Sequence, residues 1–352
     1  MNPIAGCAED LSVEWLSAAL DTEVRSLSSE RIGTGQTSST YRLHVDADGC
    51  PPTLVAKFAE GDEAARRAVA TAHRNEVGFY TRLAATLDVR TPSFWYGAIS
   101  DDGTLFTLLL EDLSPRQPGR QVDGCPVDHM GHAVRNLAAL HACRWNDESL
   151  HAVDFLIPLT RQRAEFLGSL GSKATEQFVS RFGSRLDARD ITTLREVAEV
   201  LVEWQLGRPT PFGVVHGDYR LDNLMFPPAG SDVVAVDWQT VTLALPARDL
   251  SYFIATSLPV AERRGAEEEL VKAYHDELLR RGVVGYSAEQ CFDDYRFGQL
   301  QGPMITVLGG MTSPGRTRSA DEMFLAMARR SCAALHDLDT FALVDEAGAA
   351  LP

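Results

Sequence analysis

Two short stretches of this chain place carboxylates and amides at the ends of apolar runs. In the first, Val214-Val215 leads into His216-Gly217-Asp218-Tyr219-Arg220-Leu221-Asp222-Asn223. In the second, Val234-Ala235-Val236 leads into Asp237-Trp238-Gln239. A carboxylate at the end of a buried strand is costly unless a cation or hydrogen-bond donors compensate it. Asp218, Asn223 and Asp237 offer carboxylate and amide oxygens, which suit a hard ion such as Mg²⁺ better than zinc. The same residues also fit two capped turns whose Asp and Asn side chains bond their own backbone. On these residues alone both readings stand.

A second charged set lies upstream. The spacing predicts a helix over 62–87, with Asp62 as its N-cap and an apolar stripe of Val69, Ala72, Phe79, Tyr80, Leu83 and Leu87. Glu76 sits inside that stripe, and Lys57 projects from the apolar run Leu54-Val55-Ala56. A strand lysine held by a helix glutamate can neutralise the phosphates of a nucleotide. The alternative is a surface lysine and a glutamate whose carboxylate reaches past the apolar face into water. Taken in chain order, a strand Lys, a helix Glu, a strand-end Asp followed by Asn, and a second strand-end Asp match the kinase set of phosphate clamp, base and metal ligands.

The elements that must position these residues change in texture along the chain. Up to about Glu111 the reading is of short strands around one main helix. A first helix covers Ser12–Leu20, and strands cover Val24–Ile32, Ser39–Val45 and Thr53–Phe58. A closing hairpin of Phe94–Ile99 and Thr104–Leu110 turns at Asp101-Asp102-Gly103. Between the first two strands, Gly33-Thr34-Gly35-Gln36-Thr37-Ser38 has two glycines and several hydroxyls, without the third glycine of protein-kinase loops. Beyond Pro115-Arg116-Gln117-Pro118-Gly119 the pattern is helical at 127–144, 188–206, 248–257, 260–282, 287–300 and 318–337, with two short strands at Gly213–Val215 and Val233–Asp237. The expected class is therefore α+β: a small antiparallel sheet lobe over 1–112 and a larger, mostly helical lobe over 113–352.

Composition narrows the partners. The chain has 352 residues, 45% hydrophobic and 23% charged, which excludes an intrinsically disordered chain and allows a large core. Its net charge of −16 is shared by both parts, and such a field repels nucleic acid and anionic lipid. A polyphosphate donor then needs local cations or metal ions. The six cysteines contain no CxxC, which fits reduced thiols. The sequence shows no secretory signal and no apolar run near the ~18 residues of a membrane span. The expectation is a soluble cytoplasmic protein acting on small molecules, with neither nucleic acid nor a membrane as partner.

Several segments together resemble the aminoglycoside phosphotransferase and choline-kinase-like superfamily, especially its bacterial ecdysteroid-kinase-like branch. They are Val55-Ala56-Lys57, Arg74 to Tyr80, Leu109-Leu110-Glu111-Asp112-Leu113, Leu137 to His141, His216-Gly217-Asp218 with Asn223, Val236-Asp237-Trp238-Gln239 and Arg248-Asp249-Leu250. The resemblance spans roughly 54–258 and implies a two-lobed, protein-kinase-like fold and transfer of phosphate from ATP or GTP to a small-molecule alcohol. By that resemblance Asp218 is the base, Asn223 and Asp237 hold Mg²⁺, and Lys57 with Glu76 clamps the α/β-phosphates. Gly33, Gly35, Thr37 and Ser38 belong to the phosphate loop, and Glu111, Asp112 and Leu113 form a hinge whose backbone meets the purine. Asp249 steadies the catalytic loop, and His216 orients it or is a satisfied core histidine. Arg220, beside the base, suits γ-phosphate contact, or else it braces Asp222.

The acceptor stays open among antibiotics and other metabolites. Asp293, Asp294, Asp321 and Glu322 can receive a cationic aminoglycoside or form a solvated face. Tyr286, Phe292, Tyr295 and Phe297 can line an apolar pocket or fill the core. The chain is expected to be a monomer or homodimer. Two rival readings are a metallophosphoesterase using His216, Asp218, Asn223 and Asp237, and a nucleotide-binding pseudokinase without turnover.

Overall fold

The computed structural model describes residues 3–33, 38–229, 232–312 and 317–349. The chain forms two compact units. One comprises Met1–Thr86, Thr91–Arg116 and Val236–Val241, and the other Leu87–Arg90, Gln117–Ala235 and Thr242–Pro352.

In the first unit, α1 (Val13–Leu20) starts at Ser12, whose hydroxyl accepts the Trp15 N–H. Strands β1 (Val24–Ile32), β2 (Ser38–Ala47) and β3 (Thr53–Ala59) are followed by helices α2 (Glu63–Ala68) and α3 (Ala70–Gly78), then by β4 (Phe94–Ile99) and β5 (Phe106–Glu111). The five strands form an antiparallel sheet in the order β1-β2-β3-β5-β4. Burial along β3 alternates: Leu54, Ala56 and Phe58 join Leu16, Val24, Leu43, Tyr96 and Leu109 in one core. Strand periodicity therefore sends Lys57 to the opposite face.

The single helix expected over 62–87 is broken twice. Asp62 caps it as anticipated, accepting Ala65 N–H at 2.9 Å. However, α2 buries no residue, and the backbone leaves the helical region at Val69 (φ −110°, ψ 11°). Past α3 the chain makes a π-turn, Phe79–Leu83, where the Thr81 hydroxyl donates to the Val77 carbonyl at 2.7 Å. A hydroxyl back-bonding to that carbonyl competes with the helix ladder, and π-turns gather at such points. The apolar stripe survives the breaks, since Phe79, Tyr80 and Leu83 are buried, with Glu76 among them.

The second unit runs through β6 (Gln117–Pro118), α4 (Val127–Ala142), α5 (Arg161–Phe182), α6 (Ala188–Gly207), β7 (Gly213–Val215), β8 (Leu224–Phe226), β9 (Val234–Ala235) and β10 (Thr242–Ala244). It continues with α7 (Ala247–Ser257), α8 (Val260–Arg280), α9 (Ala288–Phe297), α10 (Gln301–Thr312), α11 (Arg318–Asp337) and α12 (Thr340–Ala349). Two small antiparallel sheets, β10-β7 and β6-β8-β9, frame the loops between the helices. Every residue of α7 is buried, so this helix is the spine of the unit.

This α+β architecture agrees with the expected class, but several elements differ. Helices α5, α10 and α12 and strands β6, β8 and β10 were not anticipated. The strand expected over 233–237 shrinks to Val234–Ala235, because Asp237 adopts φ +67°, which a strand cannot continue. The helix expected over 287–300 closes at Phe297, followed by a 3₁₀ turn. Among the described residues no helix is long and apolar enough to cross a membrane.

Candidate functional site

In the sheet unit, Lys57 Nζ donates to Glu76 Oε1 at 2.5 Å, and the Glu76 side chain is only 1% exposed. The surface alternative for this pair does not hold. Gln239 Nε2 lies 3.5 Å from Glu76 Oε2, and Asn75 Nδ2 donates to the Gln239 carbonyl at 3.0 Å. Burial alone lowers the pKa of an ammonium. Here the charges of Glu76 and Asp237 outweigh it and hold Lys57 above its ordinary value, so it stays a cation.

Asp237 belongs to this same unit and is held by its neighbours. Trp238, fully buried, stacks on Phe79 with ring centroids 3.7 Å apart and planes 5° from parallel. The left-handed backbone at Asp237 costs a non-glycine residue roughly 1 kcal/mol. Such strain persists only where the surroundings fix it. Asp237 Oδ1 is buried without a hydrogen-bond partner among the described residues, and so is the Tyr80 hydroxyl. Burial, with Glu76 and Asp237 adding to it, pushes the Tyr80 phenol well above its usual range.

The expected phosphate loop is only partly described. Gly33 has φ +73°, a conformation that favours glycine, and Ser38 is buried at the start of β2. Gly35 and Thr37 lie outside the described residues. At the expected hinge, the Glu111 carboxylate accepts from Ser93 N–H and hydroxyl, and the Asp112 carboxylate accepts from Arg42 Nε at 2.7 Å and Ser114 N at 3.0 Å. Both carboxylates are thus committed, and Leu113 is buried.

In the helical unit, Asp218 follows β7 with its carboxylate held by three donors. Tyr252 Oη donates to Oδ1 at 2.7 Å, while Asn223 Nδ2 at 2.9 Å and Arg220 Nε at 3.2 Å donate to Oδ2. Asn223 Nδ2 also reaches the Asp218 carbonyl at 2.9 Å, so its amide oxygen faces away from these bonds. The loop backbone is clamped by Asp249, fully buried on α7, whose oxygens accept from His216 N at 2.6 Å and Gly217 N at 2.9 Å. His216 is also buried, and its Nδ1 accepts the Asp218 N–H at 3.3 Å. A ring nitrogen receiving that bond orients the loop from inside.

Arg220 bonds Asp222 and Asp218 and lies 3.2 Å from Met323 Sδ. Burial would lower its guanidinium, but the charges of Asp218 and Asp222 hold it higher. Tyr252 was missed in the sequence. Its signal was available, because it stands three residues after Asp249 on one helix and so shares its face.

The acidic residues considered for a cationic acceptor are matched to arginines. Arg208 pairs with Asp293 and Asp294, Arg181 with Asp321, and Arg185 with Glu322. Asp294 is buried and accepts from the Tyr286 hydroxyl at 3.0 Å, so it belongs to no solvated face. Tyr286, Tyr295 and Phe297 are buried core residues. Phe292 borders a cavity of about 290 Å³ together with Val271, Lys272, His275 and Ala288.

Residues 28–284 match the Phosphotransferase enzyme family. Choline kinase from Cryptosporidium parvum superposes with a TM-score of 0.55 at 10% identity, over 91% of this chain and 90% of that one. Ethanolamine kinase from Plasmodium vivax gives 0.53 at 12%, over 87% and 82%. The GDP complex of aminoglycoside 2′-phosphotransferase-IIIa gives 0.52 at 16%, over 92% and 94%. These likenesses show a shared fold. In sequence, 71 residues are 41% identical to the mouse acyl-CoA dehydrogenase family member 10, which is 18% of this chain and 7% of that protein. The human family member 11 is 35% identical over 66 residues, 8% of its length, so the chain spans under a tenth of these much longer relatives. With most of its length matched, from β1 through α8, the chain belongs to the Phosphotransferase enzyme family.

Proposed function

We propose that this phosphotransferase moves the γ-phosphoryl group of ATP or GTP to the hydroxyl of a small-molecule alcohol. The observation that carries the reading is the Asp218 carboxylate, partly open to solvent and fixed by Tyr252, Asn223 and Arg220. Phosphoryl transfer needs positioning and charge neutralisation more than covalent help from the protein. In the step, the alcohol oxygen forms a bond to the γ-phosphorus and the bridging P–O bond breaks, its electron pair leaving on the nucleoside diphosphate. The hydroxyl proton passes to Asp218.

Lys57, kept charged by Glu76, clamps the α/β-phosphates, and Arg220 meets the γ-phosphate. Gly33, Ser38 and the loop residues Gly35 and Thr37 cradle the donor. Glu111, Asp112 and Leu113 contact the purine through backbone, which fits the commitment of both side-chain carboxylates to other donors. Asn223 and Asp237 are the Mg²⁺ ligands. The oxygen chemistry of both fits that ion, as does the buried Oδ1 of Asp237, which has no hydrogen-bond partner among the described residues. When bound, Mg²⁺ neutralises the donor phosphates. The pairing of Asp293, Asp294, Asp321 and Glu322 with arginines argues against those four as the cradle for a polycationic acceptor.

The test is a screen of an alcohol library with Mg²⁺, with ATP and GTP supplied separately, reading nucleoside diphosphate and phosphate ester together. Equal amounts of the two products, dependent on both Mg²⁺ and the alcohol, are expected. Phosphate release from esters without nucleotide would point to a metallophosphoesterase, and nucleotide binding without product would point to a pseudokinase. Either result defeats the reading.

A further inference from the structure

The segment after β6 carries a buried glutamine that the reaction scheme leaves without a role. Gln121 is 1% exposed, yet all its polar groups are engaged. Its backbone N–H donates to Asp222 Oδ1 at 3.0 Å, and its Oε1 accepts from Leu221 N at 2.9 Å. Its Nε2 donates to Thr256 Oγ1 at 2.9 Å, and its carbonyl accepts from Arg330 Nη1 at 2.7 Å. Arg330, on α11, spans further, donating to the carbonyls of Thr256 at 2.9 Å and Val122 at 2.8 Å. Thr256 in turn donates to the Tyr252 carbonyl at 2.7 Å, on the helix that holds Asp218 and the loop backbone.

The approach of this segment is tight. A Cβ added to Gly119 would lie 2.9 Å from the Leu221 carbonyl oxygen, so a side chain there would force the two backbones apart. Gly119 N–H also donates to the Leu224 carbonyl at 3.1 Å. Residues 221–224 are therefore gripped from one side by 119–121, while Asp249 grips 216–217.

We propose that Gln121, held by Arg330, is a positioning residue for phosphoryl transfer. It sets the path of residues 220–223 so that Arg220 and Asn223 remain on the Asp218 carboxylate. This rests on the reading of Asp218 given above. Misplacement of a reacting group by about 1 Å can cost on the order of 10²-fold in rate.

The experiment compares the full-length chain with Gln121→Met, which keeps length and loses the side-chain bonds, Gln121→Glu, which keeps only the acceptor for Leu221 N–H, and Arg330→Lys. Hydrolysis of MgATP and MgGTP by water is measured alongside amide hydrogen exchange at Leu221 and Asn223. Leu343→Ala, in a separate core cluster, is the destabilised control. Gln121→Met is expected to lower kcat about 10- to 100-fold with the nucleotide KM within about twofold, and to speed exchange at both amides. Gln121→Glu and Arg330→Lys should fall between it and the parent, and Leu343→Ala should lower Tm with kcat unchanged. Unchanged exchange in Gln121→Met overturns the proposal, as does a rate loss that follows Tm equally in Gln121→Met and Leu343→Ala. If the parent hydrolyses neither nucleotide, the transfer reading stands, since its products require the alcohol, and exchange at Leu221 and Asn223 alone decides the positioning role. If Gln121→Met does not fold, the two milder variants carry the same readouts.

Discussion

Lys57 in the sheet unit and Asp218 in the helical unit both carry charge out of bulk water, but they are held by different means. Lys57 has one carboxylate at 2.5 Å, and the pair is stabilised by opposite charge. Asp218 has two neutral donors, Tyr252 on α7 and Asn223, and one arginine, and the backbone of its loop is itself fixed by Asp249. A charge pair tolerates small shifts, because Coulomb attraction varies slowly with distance. A set of directed hydrogen bonds does not, because it weakens steeply off-axis. The first arrangement suits holding a polyanion, and the second suits aiming one proton acceptor. Damage to the first should therefore appear in KM as well as kcat, and damage to the second in kcat alone.

The largest expected effect is at Asp218. Asp218→Asn keeps the shape and removes the proton acceptor, so kcat should fall on the order of 10²- to 10⁴-fold. Nucleotide affinity measured by calorimetry should stay near that of the parent. A fully active Asp218→Asn enzyme would remove the basis of the contrast. Next comes Lys57→Met, for which initial rates should show a nucleotide KM raised about tenfold or more together with a lower kcat. Removing one partner of a buried pair also costs about 3–5 kcal/mol, so the melting temperature should drop as well. Glu76→Gln should act in the same direction more mildly. An unchanged KM in Lys57→Met would show that the pair is structural only.

Much of this contrast was legible in the sequence, for a physical reason. A charge inside an apolar period is costly, so Lys57, Glu76, Asp218 and Asp237 stand out from the pattern of residue types alone. Strands such as Val24–Ile32 and Phe94–Ile99 were delimited by turn residues at both ends. The bracing was less legible. Gln121 and Gln239 are neutral, sit in irregular segments, and act through bonds to residues distant in sequence. Helix α5, not anticipated, carries Gly168 and Gly171, residue types that weaken a helical pattern. In the fold they permit close approach to α6, since added Cβ atoms would come within 2.6 Å of Val202 and Leu201. Helix α10 hides in the same way, its Gly309 and Gly310 packed against Phe324 and Phe178.

A finer test concerns Arg220, which contacts both Asp218 and Asp222. If it meets the γ-phosphate, Arg220→Ala should lower kcat and kcat/KM together, with diphosphate affinity little changed, and Arg220→Lys should recover part of the loss. If it only braces Asp222, then Asp222→Ala should reproduce Arg220→Ala, and the double variant should be no worse than either. A double-mutant cycle separates the two outcomes. The bracing outcome would assign Arg220 to the same positional set as Asp249 and leave Lys57 as the donor's protein cation.

The smallest expected effect is on acid stability, and it separates the two regions by sign. His141 is buried on α4, its Nδ1 2.7 Å from the Tyr274 hydroxyl and its Nε2 3.5 Å from Asp249 Oδ2. Burial lowers the imidazole below its ordinary 6.5, and Asp249 offsets this only in part. Below about pH 6.5 the unfolded chain therefore binds a proton that the folded chain refuses, so this group withdraws stability as pH falls. Lys57 behaves oppositely. Its raised value means that its stabilisation is fully present below its ordinary 10.5 and is lost as pH rises from there through the folded value. Urea midpoints measured at about pH 7.5 and pH 5 should thus fall for the parent protein. His141→Gln, which keeps polar groups but does not titrate, should start lower and lose less between the two conditions. Equal acid losses in the parent and His141→Gln would show that this buried histidine does not couple protons to the helical unit, and that acid sensitivity arises among its carboxylates instead.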